Sequence, residues 1–272
     1  MELLHKMLVD KIALAKNRLL LALDRKNEKR AREHNPIKLH NGPTRIYQYH
    51  VRKTGGTSIN HAFFSLANRS SESVYRSLLA SSTKRFIDDD LIFVGWNKLL
   101  LERGHYSYGF SHIPYNQICV PENTYTITCL RDPKQRILSH YKMLLRYSQR
   151  KKMSRGMRTE LQWLDFSGGI LSTLRNMPKE HLLNQIYMFS QKFDVDEALE
   201  HISKVDAVLM TETLGEDIRN LGTRLGLTLE SQHIRRDSRV LHLTSNEKSF
   251  LDECMEPEYR FLEHVRRLRA DR

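Results

Sequence analysis

Long apolar runs are missing from this chain of 272 residues. The longest, Leu19 to Leu23, falls far short of the roughly 18–20 residues that a membrane-spanning helix needs. Asp24, Arg25 and Lys26 follow it at once, and no secretory leader is apparent. Cysteine is scarce. Cys119, Cys129 and Cys254 are the three present, an odd number with no metal-ligand spacing. That argues against a disulfide scaffold or a metal site and for reduced thiols in a cytoplasmic setting. Internal repeats and low-complexity linkers are also missing, which excludes solenoids and leaves one domain as the simpler organisation. Acids are outnumbered by bases, 32 to 44, so the net charge is +12. A partner or substrate is therefore expected to be anionic: nucleic acid, an acidic polysaccharide, a nucleotide cofactor or an anionic membrane.

What is present reads as alternating strands and helices. Residues 1–33 carry Leu4, Leu8, Ile12, Ala15, Leu19 and Leu23 at steps of three or four, the spacing of an amphipathic helix. Asn35-Pro36 ends the pattern. Residues 1–36 form a helical extension to a single domain over 37–272. The extension packs on its own domain, or serves as a dimerisation helix or a membrane-surface helix. Residues 46–51 read as a strand and Ser58 to Ala67 as a helix. Residues 69–90 read as a polar connection or short helix, whose Asp88-Asp89-Asp90 cannot converge on one metal ion. Short apolar runs follow at 91–94 and 118–120. Between them lies the aromatic and small-residue segment Gly104 to Tyr115, with His105 and His112. A strand over 125–130 leads into a helix from Pro133, and a strand over 207–210 into a helix that Gly226 stops. Thr244 and Glu247 form a capping box for a last helix that Pro257 interrupts. This order predicts an α/β fold with three layers, a central, mostly parallel sheet flanked by helices.

The stretch Arg52-Lys53-Thr54-Gly55-Gly56-Thr57-Ser58 sits between a strand and a helix. Backbone N–H groups and the helix dipole favour an anion there. Glycines let the backbone approach a phosphate-like group, Lys53 adds a point charge, and Thr57 and Ser58 add hydroxyl donors. A Walker A loop carries its lysine after the glycines; here it comes before them. Alone, the stretch reads equally as a Gly-Gly turn beside a helix cap. At the next strand end, Arg131-Asp132-Pro133 combines a salt-bridged cap with a guanidinium at the carboxyl edge of the sheet, where ligands of open α/β sheets bind. The run Arg146 to Arg158 carries Arg146, Arg150, Lys151, Lys152, Arg155 and Arg158 without an acid. It is a solvated helix end or a groove for an anionic acceptor.

Three segments stand in order: Lys53-Thr54-Gly55-Gly56-Thr57-Ser58, then Ser111-His112-Ile113-Pro114-Tyr115, then Leu130-Arg131-Asp132-Pro133 with Arg136 and Ser139-His140-Tyr141. Together they resemble the sulfotransferases that use 3′-phosphoadenosine-5′-phosphosulfate (PAPS), with the nearest likeness to the carbohydrate branch that includes heparan sulfate 2-O-sulfotransferase and its bacterial relatives. Weaker likeness runs through Leu183-Asn184-Gln185 and Ala207 to Leu225, so that the resemblance spans about residues 44–227. It implies a P-loop-like fold and transfer of a sulfuryl group to a carbohydrate hydroxyl without a metal. Lys53, Thr54, Gly55, Gly56, Thr57 and Ser58 would hold the 5′-phosphosulfate. Arg131 and Ser139 would hold the 3′-phosphate. His112 would be the general base and Lys53 would steady the leaving oxygen.

Two departures stand out. Arg52 replaces a proline frequent in the family, and Phe110 stands where the heparan enzyme has a second histidine, so His112 works alone or with help from His105. The lack of a spanning helix favours a soluble, bacterial-type enzyme. The loop of Arg235 and Arg236 is a candidate for closing over the cofactor, and a homodimer contact is one of the roles open to the N-terminal helix. Two other classes compete. One is a P-loop nucleotide kinase, which shares the strand, loop and helix but wants a lysine after the glycines. The other is a basic nucleic-acid-binding module, which the charge allows but for which no reader motif is present.

Overall fold

A computed structural model describes residues 2–33, 37–40, 42–150, 154–231 and 239–270. The strands are β1 (Arg45–Tyr49), β2 (Arg85–Asp88), β3 (Leu91–Gly95), β4 (Tyr108–Ser111), β5 (Thr124–Leu130) and β6 (Ala207–Met210). The helices are α1 (Glu2–Leu23), α2 (Arg25–Arg32), α3 (Gly56–Phe64), α4 (Ser71–Ala80), α5 (Lys98–Arg103), α6 (Pro133–Ser148) and α7 (Arg155–Leu161). After them come α8 (Gly169–Asn176), α9 (Lys179–Leu182), α10 (Asn184–Phe189), α11 (Val195–Ser203), α12 (Leu214–Leu225) and α13 (Ser245–Ala270).

The strands form one six-stranded sheet in the order β2-β3-β4-β1-β5-β6. All neighbours are parallel except the edge hairpin β2–β3, where Phe86 faces Phe93. At the centre, Tyr47 of β1 aligns with Gly109 of β4 on one side and Thr126 of β5 on the other. Side chains alternate between the two faces, as the pleat requires. Tyr47, Tyr49, Val94, Leu130 and Met210 pack against α5, α10, α11 and α13. Ile46, Phe93, Phe110, Ile127 and Cys129 pack against α3, α4 and α12. A third apolar cluster joins α6, α8 and α13 through Ile137, Leu144, Leu174, Leu251 and Met255. Both faces of the sheet are thus covered, the condition under which parallel strands persist. Cys119, Cys129 and Cys254 are all free thiols.

The structure departs from sequence expectation at several places. Residues 1–33 are two helices that break at Asp24. The carboxylates of Asp24 and Glu28 both bind Arg85, at 3.1 and 2.9 Å, and that pull to the sheet edge turns the chain. The described part of the periodic stripe, from Ile12 to Leu23, does not pack on the domain. Ile12, Leu19 and Leu23 are 61%, 62% and 76% exposed, while Leu21 and Ala31 are buried instead. The expected stop at Asn35-Pro36 lies outside the described residues. Residues 69–90 hold α4 and β2, and the aspartates form a hairpin turn: Asp89 has φ 46° and Asp88 binds Arg69 and the Asn68 amide. The aromatic segment supplies β4, a central strand, whereas 118–120 follows a short 3-10 turn (Tyr115–Gln117) and joins no strand. Pro257 lies inside a continuous α13.

Other local expectations hold. Gly226 closes α12 in the left-handed conformation. Thr244 and Glu247 exchange reciprocal cap bonds. Asp132 caps α6 by accepting from the Gln135 amide, with Pro133 at the first helical position.

Candidate active site

The carboxyl ends of β1, β4, β5 and β6 converge on a cleft of about 560 Å³. The β1–α3 turn forms one wall. Lys53 takes a left-handed backbone conformation, φ 68°, unusual for a side chain bearing a Cβ. Gly55 follows at φ 87° and is the residue before α3. The two glycines have distinct steric reasons. A Cβ on Gly55 would fall 2.7 Å from Leu214 Cδ2, and one on Gly56 2.2 Å from the His50 ring. The turn is therefore pressed between α12 and an imidazole. The first N–H groups of α3 have no partner within the helix, so the turn presents donors and the positive end of the dipole to the cleft.

Lys53, Gly55, Gly56, Thr57, Ser58, His112, Arg131 and Ser139 all line this cleft. Thr54 does not. It is fully buried, donates its hydroxyl to the Val51 carbonyl and offers its own carbonyl to Thr211. Its role is to hold the turn rather than to meet a ligand. Arg131 crosses between walls, with Nη1 donating to the Lys53 carbonyl at 3.2 Å. The amide of Arg131 is held by Gln185 Oε1 at 2.8 Å, and the amide of Arg52 by Asn184 Oδ1 at 3.0 Å. Two adjacent residues of α10 therefore fix both cationic loops. Gln185 is itself anchored by Glu258, which also meets the fully buried Arg136. Arg136 belongs to this scaffold, not to the cleft.

His112 follows β4. Its Nδ1 lies 2.5 Å from the His50 carbonyl oxygen. A carbonyl only accepts, so Nδ1 carries the proton in the neutral ring and Nε2 is left bare. Burial, seconded by the charge of Arg52, lowers this imidazole to about 4. At neutral pH the ring is unprotonated and Nε2 can take a proton. His50 packs beside it, ring centroids 4.5 Å apart, and burial also pushes its pKa well below the usual histidine value. Its Nδ1 is buried without a hydrogen-bond partner. His105 is not among the cleft residues.

Arg52, the departure before the loop lysine, is paired. Its Nη2 meets both oxygens of Glu160 at 2.6 and 2.7 Å. Glu160 also accepts from His140 Nε2 at 3.1 Å. Burial alone would raise the Glu160 carboxyl, but the bonds from His140 and Arg52 outweigh it and hold it at about 2.

Sequence reasoning missed several cleft residues. His50, Trp96 and Tyr75 form an aromatic side, and Thr211 and Glu212 close the β6 end. Thr211 bonds the Thr54 and Leu130 carbonyls, and Glu212 accepts the Asp132 amide. The signal available was their position just after a strand. The described part of the 146–158 basic run does not line the cleft: Arg146 and Arg150 lie over Tyr147. Lys151 and Lys152 lie outside the described residues, as do Arg235 and Arg236.

No protein-family model matches this chain, and no curated protein matches it in sequence.

Proposed function

We propose that the protein is a PAPS-dependent sulfotransferase of P-loop-like fold that acts on a hydroxyl of a carbohydrate acceptor. The observation that carries this reading is the convergence in one cleft of a lysine–glycine turn at a helix N-terminus, an arginine with a nearby serine on the next strand's helix, and a histidine whose Nε2 is bare. The donor set fits a nucleotide phosphorylated at two ends. The turn of Lys53, Gly55, Gly56, Thr57 and Ser58 suits the 5′ end, and the fork of Arg131 with the Ser139 hydroxyl suits a 3′-phosphate. The bound donor would supply an activated sulfuryl group. Lys53 offsets negative charge that gathers on the leaving phosphate oxygen. His112 Nε2 accepts the proton of the acceptor hydroxyl, while its Nδ1–H stays on the His50 carbonyl and keeps the ring aimed. The apolar faces of Trp96 and Tyr75 suit a sugar ring at the same cleft. A soluble, cytoplasmic enzyme is part of this reading.

Calorimetry with 3′-phosphoadenosine-5′-phosphate tests it. Binding should be present in the wild type and fall about thirtyfold in Lys53→Ala and in Arg131→Ala, the effect of losing about 2 kcal/mol of charge-assisted bonding. No binding, or binding untouched by both substitutions, rejects the reading. Magnesium-dependent ATP turnover would instead assign a kinase. Steeply salt-sensitive DNA binding that ignores Lys53 would assign a nucleic-acid module.

A further inference from the structure

We propose that α1 is an interfacial anchor that lays its exposed apolar stripe into an anionic lipid surface. Residues 11–23 present Ile12, Leu19 and Leu23 to solvent, each more than 60% exposed. A helix turns 100° per residue, which puts these three within a narrow sector of one side. The buried Leu21, which ties α1 to the domain, points to nearly the opposite side. The exposed stripe is therefore surplus to the fold. Lys16 on one side and Lys11 on the other, both exposed, flank it, and no acid occurs in residues 11–23.

An exposed apolar strip flanked by lysines, in a segment without an acid, is complementary to acyl chains under anionic headgroups. A second copy of the chain fits less well. Pairing stripe to stripe would bring Lys11 and Lys16 of both copies to one contact with no acid from residues 11–23 between them. Among the described residues no helix is long and apolar enough to cross a membrane, so the helix lies on the surface rather than through it.

Sedimentation of the full chain with vesicles tests the proposal. It should pellet with vesicles of equal parts phosphatidylcholine and phosphatidylglycerol, and remain in solution with phosphatidylcholine alone. The triple variant Ile12→Ser, Leu19→Ser, Leu23→Ser should weaken partition at least about tenfold with an unchanged circular dichroism spectrum, since all three side chains are exposed. Lys11→Glu with Lys16→Glu should weaken it likewise, and added salt should lower binding. Free glycerol phosphate should not displace the protein. The proposal is overturned if the wild type ignores anionic vesicles, if the triple variant binds as well as wild type, or if glycerol phosphate competes fully. It is also overturned if light scattering finds a dimer that the triple variant dissociates while vesicles go unbound, which would assign the stripe to a second copy.

Discussion

Asn184 and Gln185 are adjacent in α10, and each accepts a main-chain N–H from a different strand end, Arg52 after β1 and Arg131 after β5. One turn of helix thereby sets the spacing between the two cationic loops. Gln185 is fully buried and also donates to Glu258. Gln185→Leu keeps the volume but leaves the Arg131 amide and Glu258 short of partners. It should cost about 2 kcal/mol of stability, read as a lower urea midpoint. It should also weaken binding of 3′-phosphoadenosine-5′-phosphate without touching the ligand. Unchanged affinity would remove the spacing role.

The imidazoles predict an acid sensitivity. His112 and His140 are both lowered to about 4, in each case first by burial. In the unfolded chain a histidine protonates near about 6.5. As pH falls below that value the unfolded state takes protons that the folded state refuses, so stability is lost between pH 6.5 and 4. The urea midpoint should therefore drop clearly from pH 7 to pH 5. Activity has a separate limb: His112 works unprotonated, so kcat/KM should hold through pH 6 and fall near pH 4. His112→Ala should abolish transfer and leave nucleotide binding intact. Surviving transfer would require another base.

Gly56 and His50 make a testable steric pair. Gly56→Ala drives a methyl into the His50 ring, an overpacking that should cost about 1–3 kcal/mol and displace the α3 N-terminus from the cleft. His50→Ala removes the obstacle. A thermal-denaturation cycle over Gly56→Ala, His50→Ala and the double variant should show the double to be more stable than the sum of the singles implies. Simple additivity would mean that the ring is not what forbids a side chain there.

Much of this was legible in the sequence because it is local. The lysine–glycine turn, the Asp132–Pro133 cap, the Thr244–Glu247 box and the Gly226 stop each declare themselves within a few residues. Strand β4 was hidden because all four of Tyr108, Gly109, Phe110 and Ser111 are buried, which erases the alternation that marks a half-buried strand. Thr54 looked like a ligand contact because its type fits, yet its hydroxyl is taken by Val51. Thr211, Glu212 and His50 reach the cleft through sheet order, which no spacing along the chain encodes. The stripe of residues 1–33 left three readings open, because apolar periodicity reports an apolar face and not what the face meets.

Arg52 offers the sharpest test of how the cleft tunes its base. Its charge is the second cause, after burial, of the low His112 value, and Glu160 acts in the opposite direction. Arg52→Gln removes the cation and frees Glu160 from its two-oxygen contact with the guanidinium. Both changes favour protonated His112, so its pKa should rise. The shift should be about half a unit to one unit, visible in the histidine ring signals during an NMR titration and as an acid limb moved to higher pH. Arg52→Lys keeps the charge while losing the two-oxygen contact with Glu160, and should leave the limb nearly in place while lowering stability. A limb that stays put in Arg52→Gln would mean that burial alone sets the base, and that the cation at this position serves only to hold Glu160.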